Sequence, residues 1–233
     1  MGQLFLLSGN LRAVANTRCI SVAGRNTTPL NRRTPLERFD TRLQQAHIRR
    51  EDLFAQVRPQ SERLILRARG NDREVSARLQ RAYGLSLPLD PNTVSGVDAP
   101  AFWMGPGKWM IVNDCHETER FRERVKSVLH NVVCIVSDCS DVHTVIRVSG
   151  RNARALIARG CSLDLHPKHF APGHCAQSLI ARIPVLLHQI DDLPSFDLYV
   201  DTSFSVYFWH WLQDASSEYS TTTDARLALG DEQ

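Results

Sequence analysis

The pattern of apolar and polar residues predicts that clear order begins near residue 64. Residues 64–70 alternate apolar and basic side chains toward their end, as a β-strand does, and the stretch finishes at Gly70. Asn71 or Asp72 can then cap an amphipathic helix. Just upstream, residues 35–60 are polar and Arg-rich, and fit either a short helix or an extended arm.

The next part of the chain predicts an irregular connection, a hairpin and a second helix. Residues 85–101 are rich in proline, which favours a long irregular connection. Strands are predicted over residues 101–104 and 108–112, because the Gly-Pro-Gly between them suits a tight turn. Residues 117–130 then carry apolar side chains at helical spacing, with charges elsewhere.

The same order of elements is predicted a second time. This copy comprises a strand at 142–149, a helix at 151–159, an irregular connection at 161–173, two strands within 176–190 broken near Pro184, a strand at 196–201 and a helix at 203–216 with a hydroxyl cap. The amino-acid sequence also repeats, since residues 84–91 and 160–167 are identical at five of eight positions. We therefore predict an α+β fold of two pseudo-repeated βαββα halves.

Domain boundaries follow from this pattern and from the charges. Residues 1–36 hold five Arg and no acidic residue, and so read as a basic extension. That composition fits an organelle transit peptide or a start codon placed too far upstream. One domain is predicted over residues 37–216, with halves at about 61–131 and 132–216, followed by a polar tail at 217–233.

Composition narrows the class of protein. The chain is 42% apolar and 23% charged, which is typical of a soluble globular protein, and its apolar runs are too short to span a membrane. Residues 1–82 carry 16 Arg against seven acids, whereas the rest of the chain is net acidic. Because arginine suits forked ion pairs, this basic head fits a protein partner or an anionic ligand, and a solvated face stays an equal alternative.

The candidate chemistry is sparse. Six cysteines without close CxxC pairs predict reduced thiols and a cytoplasmic protein. Residues 161–175 hold three His, two Cys and one Asp, but their spacing is poor for zinc and predicts a structured loop. No nucleophile, P-loop or dinucleotide motif is present. Trp209 falls outside the apolar stripe predicted for the last helix, which makes it a candidate partner contact.

Several blocks resemble the gamma subunit family of heterotetrameric sarcosine oxidase. The hairpin FWMGPGKWMIV at residues 102–112 is similar to a hairpin of that family, although Gly107-Lys108 stands where the family often has an acidic pair. The similarity spans about residues 33–216. Its more specific blocks lie at 160–167, 170–177, 184–188, 196–200 and 203–215.

The resemblance implies both a fold and a function. The family's fold resembles the folate-binding domain of glycine-cleavage aminomethyltransferase, which has two ferredoxin-like halves. Its complex of alpha, beta, gamma and delta subunits demethylates sarcosine oxidatively to glycine, passing the one-carbon unit to tetrahydrofolate and electrons to oxygen. FAD, FMN, NAD, zinc and tetrahydrofolate are implied in the partner subunits. No catalytic, cofactor-binding or metal-binding residue is expected in this chain.

The sequence therefore predicts an accessory subunit that packs chiefly on the alpha subunit. The predicted partner contacts are His166, Trp209, Arg49, Arg50, Arg67 and Arg69. Two alternatives from other classes stay open. One is a free-standing folate-binding one-carbon protein of the aminomethyltransferase type, and the other is a basic nucleic-acid-associated factor. The nucleic-acid hypothesis lacks a recognition motif, and acids are interleaved with its arginines from Glu37 onward.

Overall fold

The computed structural model describes residues 35–36, 47–96, 99–113 and 118–219, with the backbone alone for residues 118–120. Most of the predicted extension and tail lies outside these residues. Leu36 is the exception, because it is 1% exposed and packs in the core beside Ile48 and Leu53. The folded body therefore includes the last residue of the predicted extension.

Eleven strands and four α-helices make up the described part of the chain. In order they are β1 (His47–Arg50), β2 (Leu53–Val57), β3 (Glu62–Ala68), α1 (Asp72–Tyr83), β4 (Val94–Ser95), β5 (Ala101–Gly105), β6 (Lys108–Asn113), α2 (Thr118–Val128), β7 (Cys134–Asp138), β8 (His143–Ser149), α3 (Ala153–Ala158), β9 (Cys175–Ile180), β10 (Ile183–Asp191), β11 (Ser195–Asp201) and α4 (Ser205–Ser216). The mixture of helices and antiparallel sheets confirms the predicted α+β class.

The strands form two antiparallel sheets. Sheet A has six strands in the order β1-β2-β8-β11-β10-β9, and sheet B has five in the order β4-β5-β6-β3-β7. In sheet B, β3 lies between β6 and β7 and precedes α1 in the chain. In sheet A, β8 lies between β11 and β2 and precedes α3. Strand β2 thus takes, beside β8, the place that β7 takes beside β3.

Two of these strands enlarge the predicted halves. The Arg-rich arm before residue 61 forms the β1–β2 hairpin, and β2 pairs with β8 of the second half. Strand β7 follows the predicted boundary at residue 131 but pairs with β3 of the first half. Long-range pairing places both strands. The apolar run at residues 132–136 indicates a strand near β7, but it does not reveal that the strand pairs with β3.

Alternation along the strands gives each sheet two buried faces, and the molecule four layers. Helices α3 and α4 cover the outer face of sheet A, where Leu156, Ile157 and Phe208 join one core cluster. Helices α1 and α2 cover the outer face of sheet B, where Val75 and Val125 join a second. A third cluster lies between the sheets and consists of Phe102, Met110, Val112, Cys139, Val145, Cys175, Leu186 and Tyr199.

Helix termini differ from the predicted caps. Asn71 occupies the N-cap of α1 without a side-chain hydrogen bond. The predicted hydroxyl cap at Ser203 is also wrong, because residues 202–204 form a 3-10 turn and α4 begins only at Ser205. Asp201 caps that turn instead, since its carboxylate accepts a hydrogen bond from the Ser203 N–H at 2.9 Å. Within the described residues no helix is long and apolar enough to cross a membrane.

Candidate functional site

A cavity of about 610 Å³ opens between the two sheets and is lined in part by charged side chains. Residues of both sheets and of the segment before β3 line it, among them Arg58, Gln60, Val112, Arg147, His188, Asp197 and Tyr199. The position follows from the layers, because side chains pointing inward from β8, β10 and β11 meet those of sheet B here. We take this inter-sheet cavity as the candidate ligand site.

An ion pair between neighbouring strands dominates the cavity. Arg147 of β8 and Asp197 of β11 lie directly opposite in register. Two hydrogen bonds join them, from Arg147 Nε to Asp197 Oδ1 at 2.8 Å and from Nη2 to Oδ2 at 2.8 Å. The side-chain hydrogen bond to Asp197 raises the pKa of Arg147, against the opposing effect of burial. This bidentate geometry satisfies both charges within the chain.

His188, on the neighbouring strand β10, lies next to this ion pair. It lies opposite Asp197 in register, and its ring meets the Phe102 ring edge-on at 5.1 Å between centroids. Burial, together with the positive charge of Arg147, lowers the pKa of His188 to about 4. The imidazole is therefore neutral at pH 7 and too weak a base for efficient proton abstraction there. The site can offer hydrogen bonds to a polar ligand, and Arg58 adds a positive charge to its lining.

A second polar cluster, centred on Arg63, joins the two predicted halves of the fold. Arg63 of β3 is buried, and its Nη2 donates to the carbonyl oxygens of Ser140 and His143, the latter at 2.9 Å. Its backbone N–H donates to Ser140 Oγ at 3.0 Å. Burial, followed by the charge of Arg63, lowers the pKa of His143 to about 4. These bonds fix the turn between β7 and β8, which is a structural role.

Two of the described cysteines, Cys139 and Cys175, are poor nucleophiles. Cys134, Cys139, Cys161 and Cys175 are unpaired thiols. Burial is the main cause that raises the pKa of Cys139, and likewise of Cys175, to about 11. A thiol with so high a pKa holds almost no thiolate at neutral pH, so these two side chains behave as apolar core groups.

The His- and Cys-containing segment at residues 161–175 is a structured loop, as its spacing predicts. The Asp164 carboxylate accepts a hydrogen bond from the His166 N–H at 2.9 Å, and His166 Nδ1 accepts one from the Lys168 N–H at 3.2 Å. The His166 and His169 rings are 6.3 Å apart between centroids. Throughout the described ranges, no group of three His, Cys, Asp or Glu side chains is placed to hold a metal ion.

The predicted contact residues do not form one cluster. Arg49 and Arg50 are exposed on β1 at the edge of sheet A, with the Arg49 guanidinium 5.5 Å from the Phe54 ring centroid. Arg67 and Arg69 are exposed on and just after β3 of sheet B. His166 is exposed in the loop after α3. These side chains present positive charge on separate elements, so they describe several surfaces and not a single site.

Trp209 is not a surface residue. Its side chain is 2% exposed and belongs to the core between α4 and sheet A. Phe208 and Leu212 of the predicted stripe are buried, but the buried face of the helix continues through Trp209 and not through Trp211. Phe204 and Tyr207 are the exposed aromatic residues here. Phe204 and Tyr207, and not Trp209, are therefore the candidate partner contacts at this helix.

No motif in the sequence identifies the Arg147–Asp197 pair or His188. The signal available is a charged residue within an apolar strand, since Arg147 interrupts residues 144–148 and Asp197 interrupts 196–200. A charge inside such a strand requires a partner, because an unpaired buried charge is costly. Finding the partner needs the strand register, which sequence alone does not supply.

Comparison with known proteins shows a consistent relationship. The model of the Sarcosine oxidase, gamma subunit family matches residues 67–218. The sarcosine oxidase subunit gamma of Corynebacterium sp. strain U-96 is 30% identical over 146 residues, which cover 62% of this chain and 70% of that protein. The corresponding subunit of an Arthrobacter species is 28% identical over 151 residues, covering 64% of this chain and 73% of that protein.

Solved structures agree with this relationship. One chain of the heterotetrameric sarcosine oxidase from Corynebacterium sp. U-96, in complex with pyrrole 2-carboxylate, matches with a TM-score of 0.72 and 27% identity, over 82% of this chain and 97% of that one. The glycine cleavage system aminomethyltransferase T from Bartonella henselae shares the fold at a TM-score of 0.54 and 9% identity, over 74% of this chain and 48% of that one. The chain therefore belongs to the sarcosine oxidase gamma subunit family.

Proposed function

We propose that this chain is an accessory, non-catalytic subunit of a flavin-dependent complex that demethylates sarcosine, or a related N-methyl amine, to glycine. In this proposal the one-carbon unit passes to tetrahydrofolate. The observation that carries the proposal is the extent of the match. It covers both halves of the fold, and the solved chain of the Corynebacterium complex is covered over 97% of its length.

The chemistry of the inter-sheet cavity supports a structural role. Its strongest charges, those of Arg147 and Asp197, neutralise each other, and His188 is held neutral. The described thiols Cys139 and Cys175 are kept protonated by burial. Among the described residues, His188, Cys139 and Cys175 are therefore poor candidates for a base or a nucleophile.

The partners and cofactors follow from the same proposal. The partners are the alpha, beta and delta subunits, chiefly alpha, and FAD, FMN, NAD, zinc and tetrahydrofolate are held by them. A cytoplasmic location fits the unpaired thiols of the described cysteines. Exposed Arg49, Arg50, Arg67, Arg69 and His166 are the proposed polar contacts, and they can pair with carboxylates of a partner.

The two halves are proposed to be copies of one ferredoxin-like unit. In each sheet the strand before the first helix is flanked by the last strand of a three-stranded meander, and by a fifth strand on the other side. The halves differ in the source of that fifth strand, and sheet A also carries β1 beyond it. Strand β7 follows α2 in sheet B, whereas β2 comes from the N-terminal side in sheet A.

The experiment that tests the proposed function is gentle affinity purification of the tagged full chain from its native host. Recovery with larger partner subunits and the visible spectrum of a bound flavin is the expected result. Activity is then measured as oxygen consumption with sarcosine. A folded, colourless chain recovered without partners under several salt conditions would overturn the proposal.

A free-standing folate-binding protein is the second candidate, because the fold is shared with an aminomethyltransferase and a cavity of about 610 Å³ lies between the sheets. Isothermal titration of the purified chain with tetrahydrofolate tests this candidate. Asp197→Asn provides the matched variant, since it alters the cavity's ion pair at nearly constant volume. Micromolar binding that the substitution weakens would favour the second candidate, and heats indistinguishable from dilution would remove it.

A further inference from the structure

The two sheets differ at corresponding edges. In sheet A, β2 is covered on its outer side by β1, with which it pairs over four residues. Its counterpart in sheet B, β7, is the last strand of the described sheet. An uncovered edge strand presents unpaired backbone groups to which another strand can bind. Within the described residues, sheet B thus ends one strand earlier than sheet A.

The direction of the β7 amides follows from the ladder. The Cys139 N–H donates to the Arg63 oxygen at 2.8 Å, and hydrogen-bonded pairs recur every second residue in an antiparallel ladder. The pairs Ile65–Ser137 and Arg67–Ile135 therefore bond β7 to β3. The amides of Cys134 and Val136 therefore point away from β3, toward the edge of the described sheet.

The side chains beside this edge are apolar and exposed. Ile135 is 63% exposed, and Val133, just before the strand, is 73% exposed. Residues of β7 on the opposite face, such as Val136, pack against the core under α1 and α2. An exposed apolar edge strand is hazardous unless something covers it, because it can pair with other chains.

A pair of like charges lies on the same face. Arg67 is directly opposite Lys108 on one side and Ile135 on the other, so the three side chains form one row. In sheet A the corresponding row holds Arg147 opposite Asp197. Directly opposed like charges destabilise a sheet, whereas opposite charges stabilise it. In the described part of the chain, neither Arg67 nor Lys108 forms an ion pair with a carboxylate.

We propose that β7 binds an extended, acidic segment of a partner subunit, which adds a sixth strand to sheet B. This docking surface consists of Arg67, Lys108, Val133 and Ile135, with the outward amides of β7. Carboxylates of the segment pair with the two cations, and its apolar side chains cover the two exposed aliphatic residues. The inference rests on the proposed function, because it requires an assembly with other subunits.

The chain's own termini are poorer occupants. Residues 1–34 contain no acidic residue, so they cannot neutralise Arg67 and Lys108. The C-terminal tail has acidic residues but follows Tyr219, which packs into the core on the outer side of sheet A. Sheet A and the core between the sheets separate that position from sheet B. An acidic segment of a partner subunit can supply carboxylates to Arg67 and Lys108 directly.

Hydrogen exchange of the isolated full chain and of the purified complex provides the direct test. The peptide over residues 132–138 should exchange at least tenfold more slowly in the complex, while strand β9, an edge strand of sheet A, serves as the internal reference. Protection already present in the isolated monomer would assign the edge to the chain's own terminus. Protection that depends on chain concentration would assign it to a second copy. Either result would overturn the proposal.

A double charge reversal tests the chemistry of the occupant. Arg67→Glu with Lys108→Glu keeps two like charges opposed, so folding should change little, while the surface presented to an acidic segment becomes repulsive. We expect at least tenfold weaker retention of partner subunits. Arg182→Glu with Lys126→Glu, two exposed cations elsewhere, is the charge-matched control. If the wild-type chain assembles and both variants assemble equally well, the docking surface is wrong although the proposed function stands.

Discussion

Sheets A and B share a strand layout but complete it differently. Sheet A covers its β2 edge with β1 and pairs Arg147 with Asp197. In the described residues sheet B ends at β7 and sets Arg67 opposite Lys108. The same strand layout is therefore extended by the chain's own hairpin in sheet A, while in sheet B the described part ends at an edge strand beside two opposed cations. The difference is informative because each sheet is a control for the other.

The largest expected contrast comes from one substitution made at both edges. Ile48 of β1 is 5% exposed and belongs to the core, so Ile48→Ala should lower the free energy of unfolding by about 3 kcal/mol. Ile135 of β7 is exposed, so Ile135→Ala should change that free energy by less than about 0.5 kcal/mol in the isolated chain. Urea unfolding followed by tryptophan fluorescence measures both.

Assembly should reverse the ranking of these two variants. Because Ile135 belongs to the proposed docking surface, Ile135→Ala should weaken retention of partner subunits even though the chain stays folded. Equal losses of stability for the two variants would mean that the β7 edge is covered within the monomer. The contrast between the sheets would then disappear.

The second contrast concerns the paired and unpaired cations. Asp197→Asn removes the charge that Arg147 meets through two hydrogen bonds, and should cost about 2 kcal/mol of unfolding free energy. Lys108→Met, at the corresponding place in sheet B, removes a like-charge neighbour of Arg67 and should be neutral or slightly stabilising. Chemical denaturation of the two variants and of the wild type measures these changes in the free energy of unfolding. A neutral Asp197→Asn would show that the sheet A pair contributes nothing to stability.

Much of this contrast lies beyond what sequence patterns can predict. The β5–β6 hairpin, α1 and α2 are predictable because local turn residues and helical spacing determine them. The places of the β1–β2 hairpin and of β7 in the sheets are not, since they depend on pairing with strands distant along the chain. Propensity in such short strands is weak compared with the packing they gain in the fold.

The candidate site shows the same division. That Arg67 is exposed is predictable from a basic strand end, whereas its like-charged neighbour Lys108 becomes meaningful only with the register. The prediction for Trp209 is wrong because packing against sheet A buries the face that carries Trp209, which helical spacing alone does not identify. Patterns of residues therefore predict the elements, and the tertiary pairing decides which charges and edges are left for a partner.

The third contrast is a dependence on pH that arises from two buried imidazoles. Burial lowers the pKa of His188 to about 4, while the ordinary value is 6.5. As the pH falls below 6.5, the imidazole is protonated in the unfolded chain but stays neutral in the folded chain. The stability that is present above pH 6.5 is therefore lost. His188 should contribute a loss of about 1 kcal/mol between pH 7 and 5.5. His143, with a pKa also lowered to about 4, should contribute a similar loss.

Replacing one imidazole separates the two contributions. His188→Gln should roughly halve the loss of unfolding free energy between pH 7 and 5.5, whatever its effect at pH 7. Denaturation curves of wild type and variant at both pH values measure this change in slope. An unchanged pH dependence would show that His188 is solvated in the folded chain, and that the inter-sheet cavity is open to protons.

The smallest expected change in stability gives the most specific test, because the same substitution should stabilise the isolated chain and weaken its assembly with partners. Lys108→Glu places an acid opposite Arg67, as Asp197 is opposite Arg147, and should stabilise the isolated chain by about 0.5 kcal/mol. A double-mutant cycle with Arg67→Ala isolates that cross-strand energy. The same substitution should weaken partner binding, since the introduced carboxylate would compete for Arg67 and repel an acidic segment. A variant that is both more stable and equally able to assemble would show that the like-charged pair has no role in docking.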